Sequence, residues 1–327
     1  MFERPAASAY YRRRMNIGPT EPRSGAASPV DASPVDASPG GLRPAWWVRS
    51  LASLPLPALH GLGRVFAFLA THVVPYRPKV VRENLTRAFP QLDDAGLKAL
   101  TRDYYRGYGD VMVEIVKSAK IKREELLDRM VFKDIERLRA PLSTGTPVVL
   151  VAAHQCNWEW ILLALSAALG HPVDAAYKTL TDPWADREMR ALRSRFGARM
   201  VESGRVMRDL IANRRQPRVI ALVADQEPVA SERRHWTRFL NRDTAFFMGP
   251  EVIAQTLGYP VFFVATHRTG RGRYETRFEL LWAPGDTDAP GITERFARRV
   301  EQQIHEAPAD WPWSHKRWRL SRQSLSP

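Results

Sequence analysis

Residues 147–160 read PVVLVAAHQCNWEW. The first seven residues form a short, continuous apolar run, which is typical of a strand buried on both faces of a sheet. Residues 160–169 are mostly apolar and are followed by Gly170, which predicts a helix and its end. The polar residues between strand and helix therefore lie at the carboxyl end of a strand, where ligands and reactive groups gather in α/β proteins.

The rest of the chain after residue 90 repeats this alternation of strand and helix signals. Further strands are predicted at 172–177, 218–224, 261–266 and 274–282, with a turn at 270–272 between the last two. Helices are predicted at 91–120, 183–196, 206–213, 250–257 and 292–305. This pattern indicates an α/β fold, with a mixed central sheet flanked by helices, in a domain covering 91–327.

The first ninety residues divide into two segments of different character. Residues 1–44 are rich in Pro, Ala, Ser and Gly, and they are predicted to be a disordered tail. Residues 45–90 are predicted to be a hydrophobic membrane anchor followed by a basic linker. Between positions 51 and 74, Arg64 is the only residue with a formal charge. Three interpretations of this apolar stretch stay open: a monotopic or re-entrant anchor, a transmembrane span, and a buried helix pair.

The charge balance is strongly basic. Lys and Arg total 49 against 35 Asp and Glu, which gives a net charge of +14 and a pI near 10.3. Such a field attracts nucleic acid, acidic proteins or an anionic membrane face. Four basic residues follow the apolar stretch: Arg77, Lys79, Arg82 and Arg87. Such a cluster suits the cytoplasmic leaflet, and a solvated charged helix face is the equal alternative. The chain has one cysteine, so no intramolecular disulfide can form and nothing indicates an oxidising compartment.

His154 and Glu159 are the candidate reactive pair. Glu159 falls in the first turn of the predicted helix, where the helix dipole favours an ionised carboxylate. We expect it to hold the imidazole of His154 by its Nδ1–H, which leaves the other nitrogen free as a general base. Asn157 is predicted to cap the helix. The spacing is also common by chance, Cys156 is a rival nucleophile, and no third residue completes a metal site.

The His-x4-Glu pattern is accompanied by five further stretches in a fixed order: 82–90 (RENLTRAFP), 192–198 (LRSRFGA), 224–227 (ADQE), 239–250, and 313–318 (WSHKRW). Together they resemble the bacterial lipid A biosynthesis (lauroyl/myristoyl) acyltransferases, within the wider glycerolipid acyltransferase superfamily. The resemblance covers roughly 45–320, and 239–250 conforms to it poorly.

This resemblance implies a fold like that of the glycerolipid acyltransferases and an enzyme that needs no cofactor. The donor would be acyl-carrier protein, and the acceptor would be a hydroxyl of a lipid A precursor, a phosphorylated glycolipid. His154 would be the general base and Glu159 would orient it. The candidate substrate-binding residues are Arg193, Asp225, Gln226, Asn157 and Lys178. The segment His315, Lys316 and Arg317 is a further candidate for phosphate contact, with a solvated basic tail as the alternative.

Simpler roles stay open for some of these residues. Arg193 could form a surface salt bridge, and Asp225 with Gln226 could form a turn at a strand end. The implied location is the cytoplasmic face of the inner membrane, with anionic lipids as partners. Two other functions compete: acyl transfer to a different glycolipid or amino lipid, and a non-enzymatic basic protein that binds membranes or nucleic acid. No recognisable nucleic-acid-binding module supports the latter, so nucleic acid is not expected as a partner.

Overall fold

The structure is a computed structural model that describes residues 42–229, 231–320 and 322. Residues 1–41, which include nearly all of the predicted disordered tail, lie outside the described residues. The proposed boundaries of the tail, the anchor and the α/β domain therefore stay predictions.

Within the described residues, the body is built on a seven-stranded sheet in the order β1-β9-β8-β2-β5-β3-β4. The strands are β1 (Met130–Phe132), β2 (Val148–Ala152), β3 (Val173–Tyr177), β4 (Arg199–Glu202), β5 (Val219–Val223), β8 (Val261–Gly270) and β9 (Arg273–Trp282). A separate antiparallel hairpin pairs β6 (Arg234–Phe239) with β7 (Arg242–Phe247). In the sheet, β8 and β9 pair antiparallel and the other described strand pairs are parallel, so the predicted mixed α/β sheet is confirmed.

Helices cover both faces of this sheet. They are α1 (Trp46–Ala52), α2 (Leu56–Phe68), α3 (Pro78–Ala88), α4 (Asp94–Lys117), α5 (Arg123–Arg129), α6 (Glu136–Ser143), α7 (Trp158–Ala168), α8 (Pro183–Arg193), α9 (Val206–Ala212), α10 (Gly249–Leu257) and α11 (Ile292–Glu306). Successive residues of β2 feed two apolar layers: Val149 and Val151 pack in one, and Val148 and Leu150 pack in the other. A strand buried on both faces explains the unbroken apolar run from which it was predicted.

The predicted core strands and the long helices are confirmed within a few residues, but several elements were missed. β1 and β4 lie at the edges of the sheet and are three and four residues long, too short for a clear period. The hairpin β6–β7 carries charged residues along both strands, so no apolar alternation marks it.

The predicted N-terminal anchor is not confirmed as a membrane-spanning helix. Among the described residues, no single helix is long and apolar enough to cross a bilayer. Only the pair Trp46–Ala52 and Leu56–Val73 has the length and composition together, and it bends by 109°. α2 also packs closely on α4: a Cβ added at Gly63 would lie 2.8 Å from the carbonyl oxygen of Gly109. The apolar stretch is therefore part of the folded body on one side.

The other side of α2 is exposed and apolar. The side chains that face outward, on α2 and the π-helical turn Leu69–Val73, are Leu62, Val65, Phe66, Phe68, Leu69 and Val73. Exposed apolar surface on this scale in a folded protein is typical of an interaction face.

Candidate active site

His154 lies in the loop between β2 and α7, as predicted. The loop is held firmly: Cys156 adopts a left-handed conformation (φ 55°), and its backbone N–H donates to the carbonyl of Asp310 at 3.0 Å. Asn157 then caps α7, because its side-chain oxygen accepts from the backbone N–H of Trp160 at 2.9 Å. The predicted N-cap is confirmed. The imidazole of His154 is thus presented at the carboxyl end of a buried strand.

Asp225 holds the imidazole. Its Oδ1 lies 2.6 Å from Nδ1 of His154, and its Oδ2 accepts from the backbone N–H of the same residue at 3.1 Å. The two residues meet because β2 and β5 pair in parallel with Ala152 opposite Val223, so both chains leave the sheet side by side. The carboxylate of Asp225 is almost fully buried. Burial raises its pKa, but the charge and hydrogen bonds of His154 outweigh burial, so the pKa of Asp225 lies below its usual value.

The predicted hydrogen bond between His154 and Glu159 is wrong. Glu159 instead forms a bidentate ion pair with Arg193: Nε donates to Oε2 at 2.8 Å and Nη2 to Oε1 at 2.6 Å. The indole N–H of Trp158 also donates to Oε1 at 3.0 Å. The physical reason is that Glu159, in the first turn of α7, faces α8. Asp225, which follows the neighbouring strand β5, already occupies the hydrogen-bonding position at Nδ1 of His154. Closeness along the chain, with four residues between them, therefore does not bring the carboxylate of Glu159 into contact with the imidazole of His154.

Arg193 is committed to this pair. Burial lowers its pKa, but the hydrogen bonds and charge of Glu159 outweigh that effect and raise it overall. The ring of Tyr177 lies 5.3 Å from the guanidinium carbon. Two of the three guanidinium nitrogens donate to a carboxylate, which neutralises the charge that an acceptor phosphate would need. Arg193 therefore matches the salt-bridge alternative more closely than the predicted substrate contact.

The second nitrogen of His154, Nε2, faces the open side of the site. The amide nitrogen of Gln226 lies 3.3 Å away, and the side chain of His154 is 19% exposed. The ring of Trp158 meets the imidazole edge-on, with centroids 5.2 Å apart. With Nδ1–H donating to the carboxylate of Asp225, Nε2 can accept a proton from a group that replaces Gln226. Lys178 is exposed in the loop after β3 and has no ion-pair partner among the described residues.

A segment from the C-terminal part of the chain completes the site, and its main contribution was missed from the sequence. The indole N–H of Trp311 donates to Oδ2 of Asp225 at 2.8 Å. Arg317 is buried; its guanidinium donates to the carbonyls of Asp225 and Ala245, both at 2.6 Å. Burial lowers the pKa of Arg317 to about 10. These contacts make Arg317 a brace for the strand end, not the solvated or phosphate-binding residue that was predicted.

Burial changes the properties of two other candidate residues near the site, Cys156 and His315. Cys156 is buried, and burial raises the pKa of its thiol well above the usual value, which argues against it as the nucleophile. Burial also lowers the pKa of His315. Within the part of the chain that the structure describes, no group of three His, Cys, Asp or Glu residues is arranged to hold a metal ion.

A histidine oriented by a buried carboxylate, at the carboxyl end of a mostly parallel sheet, defines an α/β protein equipped for general-base chemistry. The family model described as bacterial lipid A biosynthesis acyltransferase matches residues 45–320, and the chain belongs to that family. Membership confirms the resemblance inferred from the motifs and implies acyltransferase activity. No curated protein matches the chain.

Proposed function

We propose that this protein transfers a fatty acyl chain from acyl-carrier protein to a hydroxyl of a phosphorylated lipid A precursor. The observation that carries the proposal is the His154–Asp225 pair, with Nδ1 bound to a buried carboxylate and Nε2 open toward the site entrance. Family membership supports the reaction class. The identities of the acyl donor and the acceptor are proposed in addition to that reaction class.

The proposed reaction needs no covalent acyl-enzyme. Nε2 of His154 takes the proton of the acceptor hydroxyl, and the oxygen attacks the thioester carbonyl of the donor. The tetrahedral intermediate collapses with cleavage of the C–S bond, and the imidazolium returns the proton to the departing thiolate. Asp225 stabilises the imidazolium between these two steps, and Trp311 and the backbone N–H of His154 fix the carboxylate in the orientation that this requires.

The amide of Gln226 is the group that the acceptor hydroxyl would displace from Nε2. It is exposed and lies within 3.3 Å of that nitrogen, so it is placed to donate to the acceptor oxygen once displaced. Lys178 is a candidate for a phosphate of the acceptor, because it is exposed and lacks an ion-pair partner among the described residues. Arg193 takes no such role in the proposed mechanism, since its donors are directed to Glu159.

The exposed apolar face of α2 supports attachment to the membrane that contains the acceptor. Leu62, Val65, Phe66 and Leu69 recur at three- and four-residue intervals on its surface. A helix of this kind lies in the interface without crossing the bilayer. We propose that the protein is monotopic and sits on the cytoplasmic face of the inner membrane, where acyl-carrier protein is available.

A transfer assay tests the proposal. Purified protein receives acyl-carrier protein with a bound acyl chain and a phosphorylated lipid A precursor, and transfer is followed by mass spectrometry. We expect wild-type activity, and a loss of at least about a hundredfold in His154→Ala, because general-base catalysis contributes that much or more. His171→Ala is the matched control, since His171 precedes β3 and lies at the amino ends of the parallel strands, whereas His154 follows the carboxyl end of β2.

The outcomes separate the parts of the proposal. Full activity in His154→Ala would overturn the mechanism. Transfer to a different glycolipid or amino lipid, with none to the lipid A precursor, would overturn the acceptor and leave the base in place. Thermal unfolding of each variant shows whether a loss of activity reflects a loss of fold.

A further inference from the structure

A second apolar patch combines residues of α1 with residues of the loop after β3 and of α8, which lie far apart along the chain. In the loop after β3, Leu180 is 40% exposed, and Trp184, in the first turn of α8, is 50% exposed. The ring of Trp184 stacks on that of Trp47 in α1, with centroids 5.5 Å apart and an interplanar angle of 14°. The neighbouring Trp46 is 78% exposed. Tryptophan favours the boundary between water and lipid, because its ring is apolar and its N–H is polar.

Specific contacts join the two halves of this patch. The backbone N–H of Ala45 donates to both carboxylate oxygens of Glu188 on α8, at 3.1 and 2.9 Å. Leu192 of α8 packs in one small apolar cluster with Val48 and Ala52 of α1. Hydrogen bonds and apolar packing therefore hold α1 against α8, so the residues of the patch are fixed relative to one another.

Cationic side chains lie within a few residues of the patch along the chain. Arg43, Arg49, Lys178 and Arg187 are exposed and have no ion-pair partner within the described residues. The acidic side chains nearby are engaged in local hydrogen bonds. Asp182 accepts from the backbone N–H of Ala185 at 2.7 Å, and Asp186 accepts from Leu180 N–H and from the hydroxyl of Tyr177. Aromatic rings flanked by free cations complement an anionic lipid surface.

α8 connects this patch to the site. Trp184 lies at its start, and Arg193, at its end, holds Glu159 in the first turn of α7. Eleven helical residues span about 16 Å. A bilayer at the patch would thus lie about one helix length from the ion pair beside the reactive loop.

We propose that the surface formed by Leu180, Trp184 and Trp47, with the neighbouring Lys178 and Arg187, docks on an anionic bilayer as a lipid contact in addition to α2. One part of this inference rests on the proposed function: docking would hold the active site against the leaflet that contains the acceptor lipid. The occupant is the bilayer interface itself and not a soluble anion.

Binding to vesicles tests the docking surface. Full-length protein is sedimented with vesicles that contain phosphatidylglycerol, and with neutral phosphatidylcholine vesicles. We expect Trp184→Ser to weaken binding to the anionic vesicles about tenfold, because half of a large aromatic side chain leaves the lipid. Ile211→Ser is the matched control, since Ile211 is 49% exposed on α9. Equal binding by Trp184→Ser and wild type would overturn the inference, as would a failure of wild type to bind.

A local probe prevents α2 from masking the result. Cys156 is buried, so a single exposed cysteine can be labelled with an environment-sensitive dye in Thr181→Cys. We expect a blue shift of the dye on anionic vesicles, and none for the same dye in Ser143→Cys, which precedes the amino end of β2, whereas Thr181 follows the carboxyl end of β3. Identical responses from the two positions would overturn the inference. A shift on addition of acyl-carrier protein, with none on vesicles, would assign the surface to a protein partner and overturn the bilayer.

The same variants separate this inference from the proposed function. Transfer to detergent-dispersed acceptor should be unchanged in Trp184→Ser, while transfer to acceptor in vesicles should fall with vesicle binding. If wild type transfers no acyl chain but the dye at position 181 still shifts, the docking surface stands and the proposed reaction falls.

Discussion

Asp225→Asn isolates the role of the buried carboxylate, because the amide has the same shape but only one acceptor oxygen. In the native site, Oδ2 accepts two N–H groups, from Trp311 and from the backbone of His154, and Oδ1 faces Nδ1. An asparagine that keeps its oxygen toward the two N–H donors turns its NH2 group toward Nδ1. His154 must then carry its proton on Nε2, and it can no longer accept one there.

The alternative orientation has a calculable penalty. Turning the amide so that its oxygen accepts from Nδ1 leaves two N–H donors facing an NH2 group. Each unsatisfied donor costs about 1–3 kcal/mol, so the productive orientation lies about 2–6 kcal/mol above the other. We therefore expect kcat/KM for acyl transfer to fall by about 30-fold to about 10⁴-fold.

Trp311→Phe provides the control for this reasoning. It removes one of the two donors that force the amide, so the loss caused by Asp225→Asn should be smaller in the Trp311→Phe background than in wild type. Combining Asp225→Asn with His154→Ala should cost no more than His154→Ala alone, since the pair acts as a unit. Activity of Asp225→Asn within about threefold of wild type, a range too small for a loss of base catalysis, would refute the assigned role.

Three further predictions concern the thiol, the core and acid stability. Native Cys156 should react with N-ethylmaleimide only as fast as the protein unfolds, and activity should survive the treatment; rapid labelling with loss of transfer would revive the cysteine nucleophile. The buried carboxylate of Glu114 in α4 accepts from the amide of Asn157 and from the hydroxyl of Tyr274. Glu114→Ala should therefore lower the free energy of unfolding by about 3–5 kcal/mol, because these buried donors lose their partner. Glu83→Ala, at an exposed pair with Arg87, should change it by less than about 1 kcal/mol; denaturant titrations measure both. Because folding lowers the pKa of Asp225, its ionised form stabilises the folded protein at pH values above the unfolded-state pKa of about 3.9, and this stability is lost as the pH falls through the folded-state pKa. The difference in the free energy of unfolding between wild type and Asp225→Asn should therefore shrink below about pH 4. A difference that stays constant with pH would contradict the lowered pKa.

The sequence predicted the elements in which most residues share the same degree of burial. β2 and β5 are buried on both faces, so their apolar runs identify them, and the loop after β2 could be placed at a strand end. The sequence could not predict which carboxylate reaches His154, because Asp225 is 71 residues away and arrives through the parallel register of β2 and β5. Asp225 was identified as a candidate only at its own strand end.

Trp311 could not be predicted at all from local pattern. It reaches Asp225 from a segment beyond α11, and nothing in its neighbours along the chain distinguishes it from a core tryptophan. The same holds for Arg317, whose basic neighbours suggest a solvated tail although its guanidinium is buried against two carbonyl oxygens. Contacts that depend on chain segments meeting across the fold leave no periodic signal in the sequence.

The ion pair of Glu159 with Arg193 gives the His-x4-Glu spacing a different physical meaning. Glu159 is buried, so its charge requires a partner, and Arg193 satisfies both oxygens. That pair fixes the end of α8 against the first turn of α7, directly after the loop that carries His154. The carboxylate five residues after the histidine then positions the loop from one side while Asp225 orients the imidazole from the other. Glu159→Gln should accordingly weaken the attachment of α8 and reduce transfer.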